Sequence, residues 1–331
     1  MPAPILAVEN LSCEFQTKEG PVKALNGVSL GLEPGRILAV VGESGAGKTT
    51  LALSLLRLLP FPGRVTDGRI RFDGRDVLGM AEDELRHLRG RSISMIFQDP
   101  VSGLNPVLPV GKQVEEILAS HLDIPKKERK RRTIELLRQV GLPDAERIAG
   151  QYPFHLSGGM CQRVMIAIAT ALDPSVLVAD EPTSALDVTV QAQILAELNQ
   201  LRQQRGTAIL LITHDLGVVA QMADDVAVMY AGSIVEAGDV ETIFKRPRHP
   251  YTWALLATLP RVDAPRSHLQ AIPGAPPSLL NLSSECAFSP RCSKALNRCR
   301  QDPAPPLAEI APGQQVACYN PIFQDWAAST D

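Results

Sequence analysis

Apolar and polar positions along this chain follow two alternating rhythms. Residues 36–41, Arg-Ile-Leu-Ala-Val-Val, form a short apolar run with β-branched members, the pattern of a buried strand. Residues 93–97, 176–181 and 208–212 repeat that pattern, the second of them ending in Asp180 and Glu181. Between these runs the period lengthens. Residues 48–59 carry leucines at helical spacing up to Pro60, and residues 83–89 and 160–172 predict further helices. Residues 5–40 predict short strands with turns at Glu19-Gly20 and Glu33-Pro34-Gly35, and a strand pair is expected around Thr66-Asp67-Gly68-Arg69. Residues 101–172 read as mostly helical, and 174–245 return to alternating strand and helix. The expectation is an α/β fold without internal repeats. No apolar run approaches the roughly 18 residues that a membrane-spanning helix needs.

At 331 residues the chain has room for a full core and a smaller appendage. A net charge of −3 gives no case for nucleic-acid binding. The first residues lack a basic segment followed by a long apolar core, so the chain is expected to be cytoplasmic as made. One basic run, Pro125-Lys126-Lys127-Glu128-Arg129-Lys130-Arg131-Arg132, predicts the solvated start of a helix that continues through Glu135-Leu136-Leu137. Contact with anionic lipid headgroups is the alternative for that run.

Candidate chemistry comes as an ordered set of short motifs. Gly42-Glu43-Ser44-Gly45-Ala46-Gly47-Lys48-Thr49 lies between an expected strand and an expected helix. That is the context of a phosphate loop: the glycines let backbone N–H groups turn inward, and the helix N-terminus adds a partial positive charge. Lys48 would reach the β- and γ-phosphates, and Thr49 would bind Mg²⁺. Residues 176–181 are a buried-strand run ending in two acids; Asp180 would hold Mg²⁺ directly or from its second shell, and Glu181 beside it is placed to polarise an attacking water.

Leu156-Ser157-Gly158-Gly159-Met160 resembles the signature motif of the ATP-binding cassette (ABC) family. The resemblance runs over about residues 5–320 and implies a phosphate-loop cassette. Its parts would be a β-rich N-terminal subdomain, a helical subdomain at about 100–172 within a cassette of residues 1–245, and an extension at 246–331. It implies that ATP is held by Gly42, Ser44, Gly45, Ala46, Gly47, Lys48, Thr49 and Thr50. Ser157, Gly158 and Gly159 would face the γ-phosphate held by an opposite subunit, and Asp187 would lie in the loop crossing that dimer interface. Gln98 resembles the glutamine that senses Mg²⁺ and the membrane partner, and His214 the histidine on the γ-phosphate. Phe15 is the candidate for stacking on adenine, with a core or surface role as the alternative. A translation cassette would carry two copies in one chain, and a DNA-repair cassette a long coiled coil between Gln98 and Ser157, where only 58 residues intervene.

Within the family, Met160 at the fifth signature position is similar to the ATPase subunits of dipeptide and oligopeptide importers, a branch that also serves nickel. Ile96-Phe97-Gln98-Asp99-Pro100 and His249-Pro250-Tyr251-Thr252 carry the same likeness. It implies ATP hydrolysis driving peptide uptake at the cytoplasmic face of the plasma membrane, with nickel chelate, glutathione or another small solute as alternatives. The implied partners are a second cassette subunit, a paralogue more than an identical copy, two permease subunits and, indirectly, a solute-binding protein.

The tail has its own chemistry. Thirteen of the 27 prolines follow residue 245, so this stretch is expected to be extended and short of a core. Four of the six cysteines also fall here: Cys286, Cys292, Cys299 and Cys318. Disulfides do not suit a cytoplasmic chain. The gaps of five, six and eighteen residues lack the paired spacing of structural zinc sites. The family resemblance points to a 4Fe–4S cluster, with zinc and plain reduced thiols as the alternatives. Cys13 and Cys161 read as ordinary small residues.

Overall fold

The computed structural model describes residues 3–184, 186–259 and 272–324. They form two compact units, each a mixture of strands and helices. The first unit holds residues 79–212 with the short pieces 3–5 and 32–36. Its centre is three parallel strands, Ile93–Ile96, Val176–Asp180 and Ala208–Thr213, with Val176–Asp180 in the middle. Every residue of the three strands is buried, which is why they read as continuous apolar runs. The helices Val110–His121, Lys126–Gln139, Ala145–Ala149 and Gly158–Thr170 pack on one another in the region expected to be helical. The basic run opens Lys126–Gln139, where Glu128 pairs with Arg131 at 2.6 Å and Arg132 at 3.1 Å, while Thr133 and Leu137 turn to the core.

The second unit holds 6–31, 37–78 and the described residues from 213 onward. An antiparallel sheet runs in the order Gly20–Leu32, Leu6–Thr17, Gly63–Phe72, Arg75–Asp76. Thr66-Asp67-Gly68-Arg69 is not a turn between two strands here; it lies inside one strand. Gly68 has φ +94° opposite a register shift between Glu9 and Ser12, and a Cβ there would lie 2.5 Å from the Asn10 carbonyl oxygen. The glycine therefore serves a bulge, and the chain reverses at Asp73-Gly74, both with positive φ. Elsewhere in the unit Ile37–Val41 runs parallel to Asp225–Tyr230, which is antiparallel to Ser233–Asp239.

The tail is more than a loose appendage. Its strands Gln314–Val316 and Ala308–Ala311 extend the sheet from Ser233–Asp239, and Phe288, Cys299, Val316 and Ile322 are buried. The described residues from 213 onward fall in one compact unit. Glu236 explains the join. It is fully buried; Oε1 accepts from the Arg248 N–H at 2.7 Å and from Gln314 Nε2 at 2.9 Å, and Oε2 accepts from the His249 N–H at 2.9 Å. Burial pushes its carboxyl above the usual range, and these donors pull against that. Replacing Glu236 by Ala strands three buried donors. Urea unfolding should show a loss of about 3 kcal/mol, with Glu236→Gln losing less.

Candidate functional site

The strand Ile37–Val41 delivers the backbone to Gly42, and the helix Lys48–Leu55 receives it after Gly47. Gly42 has φ +158° and Gly47 φ +104°. A Cβ would lie 2.2 Å from the Met229 carbonyl oxygen at Gly42 and 2.5 Å from that of Ala24 at Gly47. The loop is packed so closely on these backbones that only glycine fits. Gly45, by contrast, has nothing within 4 Å of a Cβ, so its face is open. No side chain caps the helix, and the partial positive charge of its N-terminus suits an anion. Lys48 is 6% exposed, and its Nζ donates to the carbonyls of Gly42 at 2.8 Å and Glu43 at 3.0 Å. Ala46 donates to the Glu43 carbonyl and accepts from the Gly232 N–H. Ser44 and Thr49 are exposed, and Thr50 is half-buried with its carbonyl accepting from the Ser54 hydroxyl at 2.6 Å. The helix stops at Leu55, a turn short of Pro60. Arg57 at φ +51° donates to the Ser54 carbonyl and Leu58 to the Leu53 carbonyl, the paired bonds that close a helix C-terminus.

His214 belongs to the same unit and is exposed, immediately after the strand Ala208–Thr213. Its neighbours are fixed: the Asp215 N–H donates to the Thr213 hydroxyl at 3.0 Å, and the Asp215 carboxylate caps the helix Leu216–Met222. Phe15 is half-buried opposite Gly63, where an added Cβ would lie 2.6 Å from its ring, so one edge of the ring already rests on the backbone.

Within the other unit the structure brings Gln98 and Glu181 together. Gln98 Nε2 donates to Glu181 Oε2 at 3.2 Å, and the Ser184 hydroxyl donates to the carbonyls of Glu181 at 3.1 Å and Gln98 at 3.4 Å. Asp180, 1% exposed, closes the strand Val176–Asp180. Glu181 then turns with φ +46°, unusual for a residue with a side chain, and its N–H is held by the Ile212 carbonyl at 2.8 Å. Such a conformation costs about 1 kcal/mol; neighbours fix it where a carboxylate must leave the sheet edge. Ser157 caps the helix Gly158–Thr170 by accepting from the Met160 N–H at 3.3 Å. Gly158 has open space around it, and Gly159 lies against Val190. Asp187 caps the helix Val188–Arg205, accepting from Thr189 and Val190 at 3.0 Å each.

The four tail cysteines line one apolar cavity together with His249, Phe288 and Tyr319. All are reduced. Burial pushes the thiols of Cys286 and Cys292 up, and that of Cys318 up to about 12, with the other cysteines adding to the effect. Backbone N–H groups reach two of the sulfurs, Leu296 on Cys299 and Asn320 on Cys318, both at 3.4 Å. Among the described residues no group of three or more His, Cys, Asp or Glu side chains is placed to hold a metal ion. Cys13 and Cys161 are buried, Cys13 against the Ser54 hydroxyl and Cys161 against the Pro153 carbonyl.

Sequence reasoning missed the surroundings of Glu43. Its N–H donates to the Tyr251 hydroxyl at 2.9 Å, and its carboxylate pairs with Arg291. Neither Tyr251 nor Arg291 is linked to Glu43 by any spacing in the sequence, because each lies more than two hundred residues away from it.

A strand–loop–helix anion site and a strand-end Asp-Glu pair define a phosphate-loop nucleotide hydrolase. A model of the ABC transporter family matches residues 25–184, and one of the oligopeptide/dipeptide transporter C-terminal region matches 235–299. The chain is 48% identical over 317 residues to the oligopeptide transport ATP-binding protein OppD of Bacillus subtilis, covering 95% of this chain and 88% of that one. It is 44% identical over 318 residues to the dipeptide transport ATP-binding protein DppD of Escherichia coli, covering 96% and 97%. A solved ATP-binding cassette dimer in a post-hydrolysis state, bound to ADP and Pi, superposes with a TM-score of 0.65 at 28% identity, covering 71% of this chain and 98% of that one. This chain belongs to the ABC transporter family, as one of its ATP-hydrolysing proteins. Among the described residues no helix is long and apolar enough to cross a membrane.

The packing at Gly42 yields a test. Gly42→Ala should keep the far-UV circular dichroism of the parent chain while equilibrium binding of MgATP weakens by at least about tenfold, since the loop must shift to admit the methyl group.

Proposed function

We propose that this chain powers uptake of di- and oligopeptides through separate permease subunits, from the cytoplasmic face of the plasma membrane. The observation that carries the reading is the extension: residues 235–299 match the oligopeptide/dipeptide transporter C-terminal region, and relatives alike over almost the whole chain are named for peptide transport. A second cassette, most simply a paralogue, completes the ATP sites, and a solute-binding protein supplies the peptide to the permeases.

In this reading Lys48 and the loop N–H groups hold the β- and γ-phosphates, and Phe15 stacks on adenine. Thr49, Gln98 and Asp180 hold Mg²⁺; hydroxyl, amide and carboxylate oxygens are the hard donors that ion takes. When bound, Mg²⁺ neutralises charge on the phosphates. Glu181 orients and polarises the attacking water, and His214 holds the γ-phosphate. Ser157, Gly158 and Gly159 present a helix N-terminus to the ATP of the opposite subunit, with Asp187 in the loop beside that interface. Nickel chelate and glutathione stay as alternative solutes, because this chain does not form the solute pocket.

The same reading gives the tail cavity a 4Fe–4S cluster held by Cys286, Cys292, Cys299 and Cys318. The spacing of these cysteines lacks the paired form of structural zinc sites. What supports the cluster reading is that all four cysteines line one apolar cavity, with two N–H···S contacts of the kind that stabilise cluster sulfurs. The thiols of Cys286, Cys292 and Cys318, pushed up by burial, would need the charge of bound iron to become thiolates.

Three measurements check the proposal. Cells in which this chain carries Lys48→Ala should lose uptake of a radiolabelled tripeptide; unchanged tripeptide uptake alongside lost nickel uptake would move the substrate to the alternative. Glu181→Gln should retain ATP in a closed dimer with hydrolysis reduced by at least about a hundredfold; normal turnover would remove Glu181 from its role. Anaerobically purified protein should contain about four iron and four sulfide per chain, both lost in Cys292→Ser; zinc or no metal would exclude the cluster.

A further inference from the structure

Glu43 places a carboxylate within the phosphate loop itself, two residues before Gly45 and five before Lys48. A negative charge there opposes a triphosphate unless it is neutralised. The structure supplies the neutralising group from the extension. Arg291 makes a two-pronged pair with Glu43, Nη1 to Oε2 at 2.6 Å and Nη2 to Oε1 at 3.0 Å, with its side chain 6% exposed. Its remaining donors are engaged too: Nε on the Pro273 carbonyl at 2.8 Å, Nη1 on the Tyr230 hydroxyl at 3.2 Å and Nη2 on the Ile272 carbonyl at 3.5 Å. Tyr230, Tyr251 and Phe288 pack as one aromatic cluster behind the pair, with ring centroids 4.6 to 5.4 Å apart, and the Tyr251 hydroxyl accepts from the Glu43 N–H. The loop residue is therefore gripped at both its backbone and its side chain.

Surrounding contacts repeat the arrangement. Pro276, Pro277 and Leu279 line a small cleft with Ser44, Gly45 and Ala46, so the extension borders the open face of the loop. That stretch is fastened at its far end, where the Lys23 N–H donates to the Leu279 carbonyl at 3.0 Å and Val22 bridges Leu280. Arg291 also directly precedes Cys292, one of the four cavity cysteines.

We infer that Arg291 is a positioning residue for nucleotide binding, which neutralises Glu43 and holds it off the phosphate path so that the C-terminal extension sets the affinity of the phosphate loop. The inference rests on the reading of this loop as the ATP site, and on nothing about the transported solute or the contents of the cysteine cavity. Without Arg291 the carboxylate is left unpaired beside the phosphates. Removing the carboxylate as well removes the repulsion. A merely structural anchor behaves differently, since deleting both partners does not restore what deleting one has loosened.

The test is calorimetric titration of the full-length chain with MgATP, beside thermal melting without nucleotide. Arg291→Ala should raise the Kd about tenfold, with a steeper loss at low salt than at high salt. Arg291→Ala combined with Glu43→Gln should return the Kd to within about twofold of the parent. Glu43→Gln alone should bind at least as tightly as the parent, and it serves as the reporter if Arg291→Ala does not fold: weaker binding in Glu43→Gln overturns the inference. An unchanged Kd in Arg291→Ala, or a double variant no better than the single one, also overturns it, whatever happens to the melting temperature. The parent chain and Lys48→Ala are run alongside; a parent that binds no MgATP would sink the nucleotide reading, and this inference with it.

Discussion

Close approach of three backbones is the constraint on which the rest of this molecule depends. Gly42 sits against the Met229 carbonyl and Gly47 against that of Ala24, with no space for a side chain at either. The loop cannot relax away from these contacts, while at Gly45 its face stays open, with nothing within 4 Å of a Cβ there. Lys48 draws its amine back onto the loop carbonyls, and the uncapped helix behind adds its partial charge. An anion site of this kind needs little reorganisation when a nucleotide arrives, because its ordering was completed on folding. The strands on either side are buried on both faces, which makes them stiff supports.

Around this loop the extension acts as a buttress. Glu236 ties Arg248, His249 and Gln314 to the sheet, His249 caps the helix that carries Tyr251, and Tyr251 and Arg291 then reach Glu43. Each link joins polar groups that are at least partly withdrawn from water, so breaking one singly leaves its partner unsatisfied. A chain of such links explains how a proline-rich stretch with few strands stays folded. It borrows the core of the cassette and returns order to the loop.

Much of this was legible in the sequence, for identifiable reasons. Buried strands declare themselves as consecutive apolar residues, so 37–41, 93–96, 176–180 and 208–213 were placed to within a residue or so. The phosphate loop was legible from its glycine spacing alone, although the carbonyls that demand those glycines, Met229 and Ala24, lie elsewhere in the chain. Asp67-Gly68 misled because the glycine that permits a turn also permits a bulge, and the choice was made by the Asn10 carbonyl on a distant strand. The expectation of a core-poor tail missed Val316, whose burial depends on the sheet it joins, and Ile322, whose N–H is held by the Arg248 carbonyl. Glu43 and Arg291 lie 248 positions apart, and no period or spacing connects them. The helix expected to reach Leu59 ends at Leu55 because Arg57 adopts the left-handed conformation that glycine usually supplies.

Hydrolysis in the assembled transporter tests the link between this cassette ATPase and peptide import most directly. The complex of this chain with its co-purifying membrane subunits, placed in liposomes, would be assayed for ATP hydrolysis with binding protein loaded or unloaded with short peptides. Peptide-loaded binding protein should stimulate hydrolysis several-fold over the unloaded form. A rate indifferent to peptides but raised by nickel chelate or glutathione would contradict the assignment to peptides, and a rate indifferent to every loaded binding protein would contradict coupling to import.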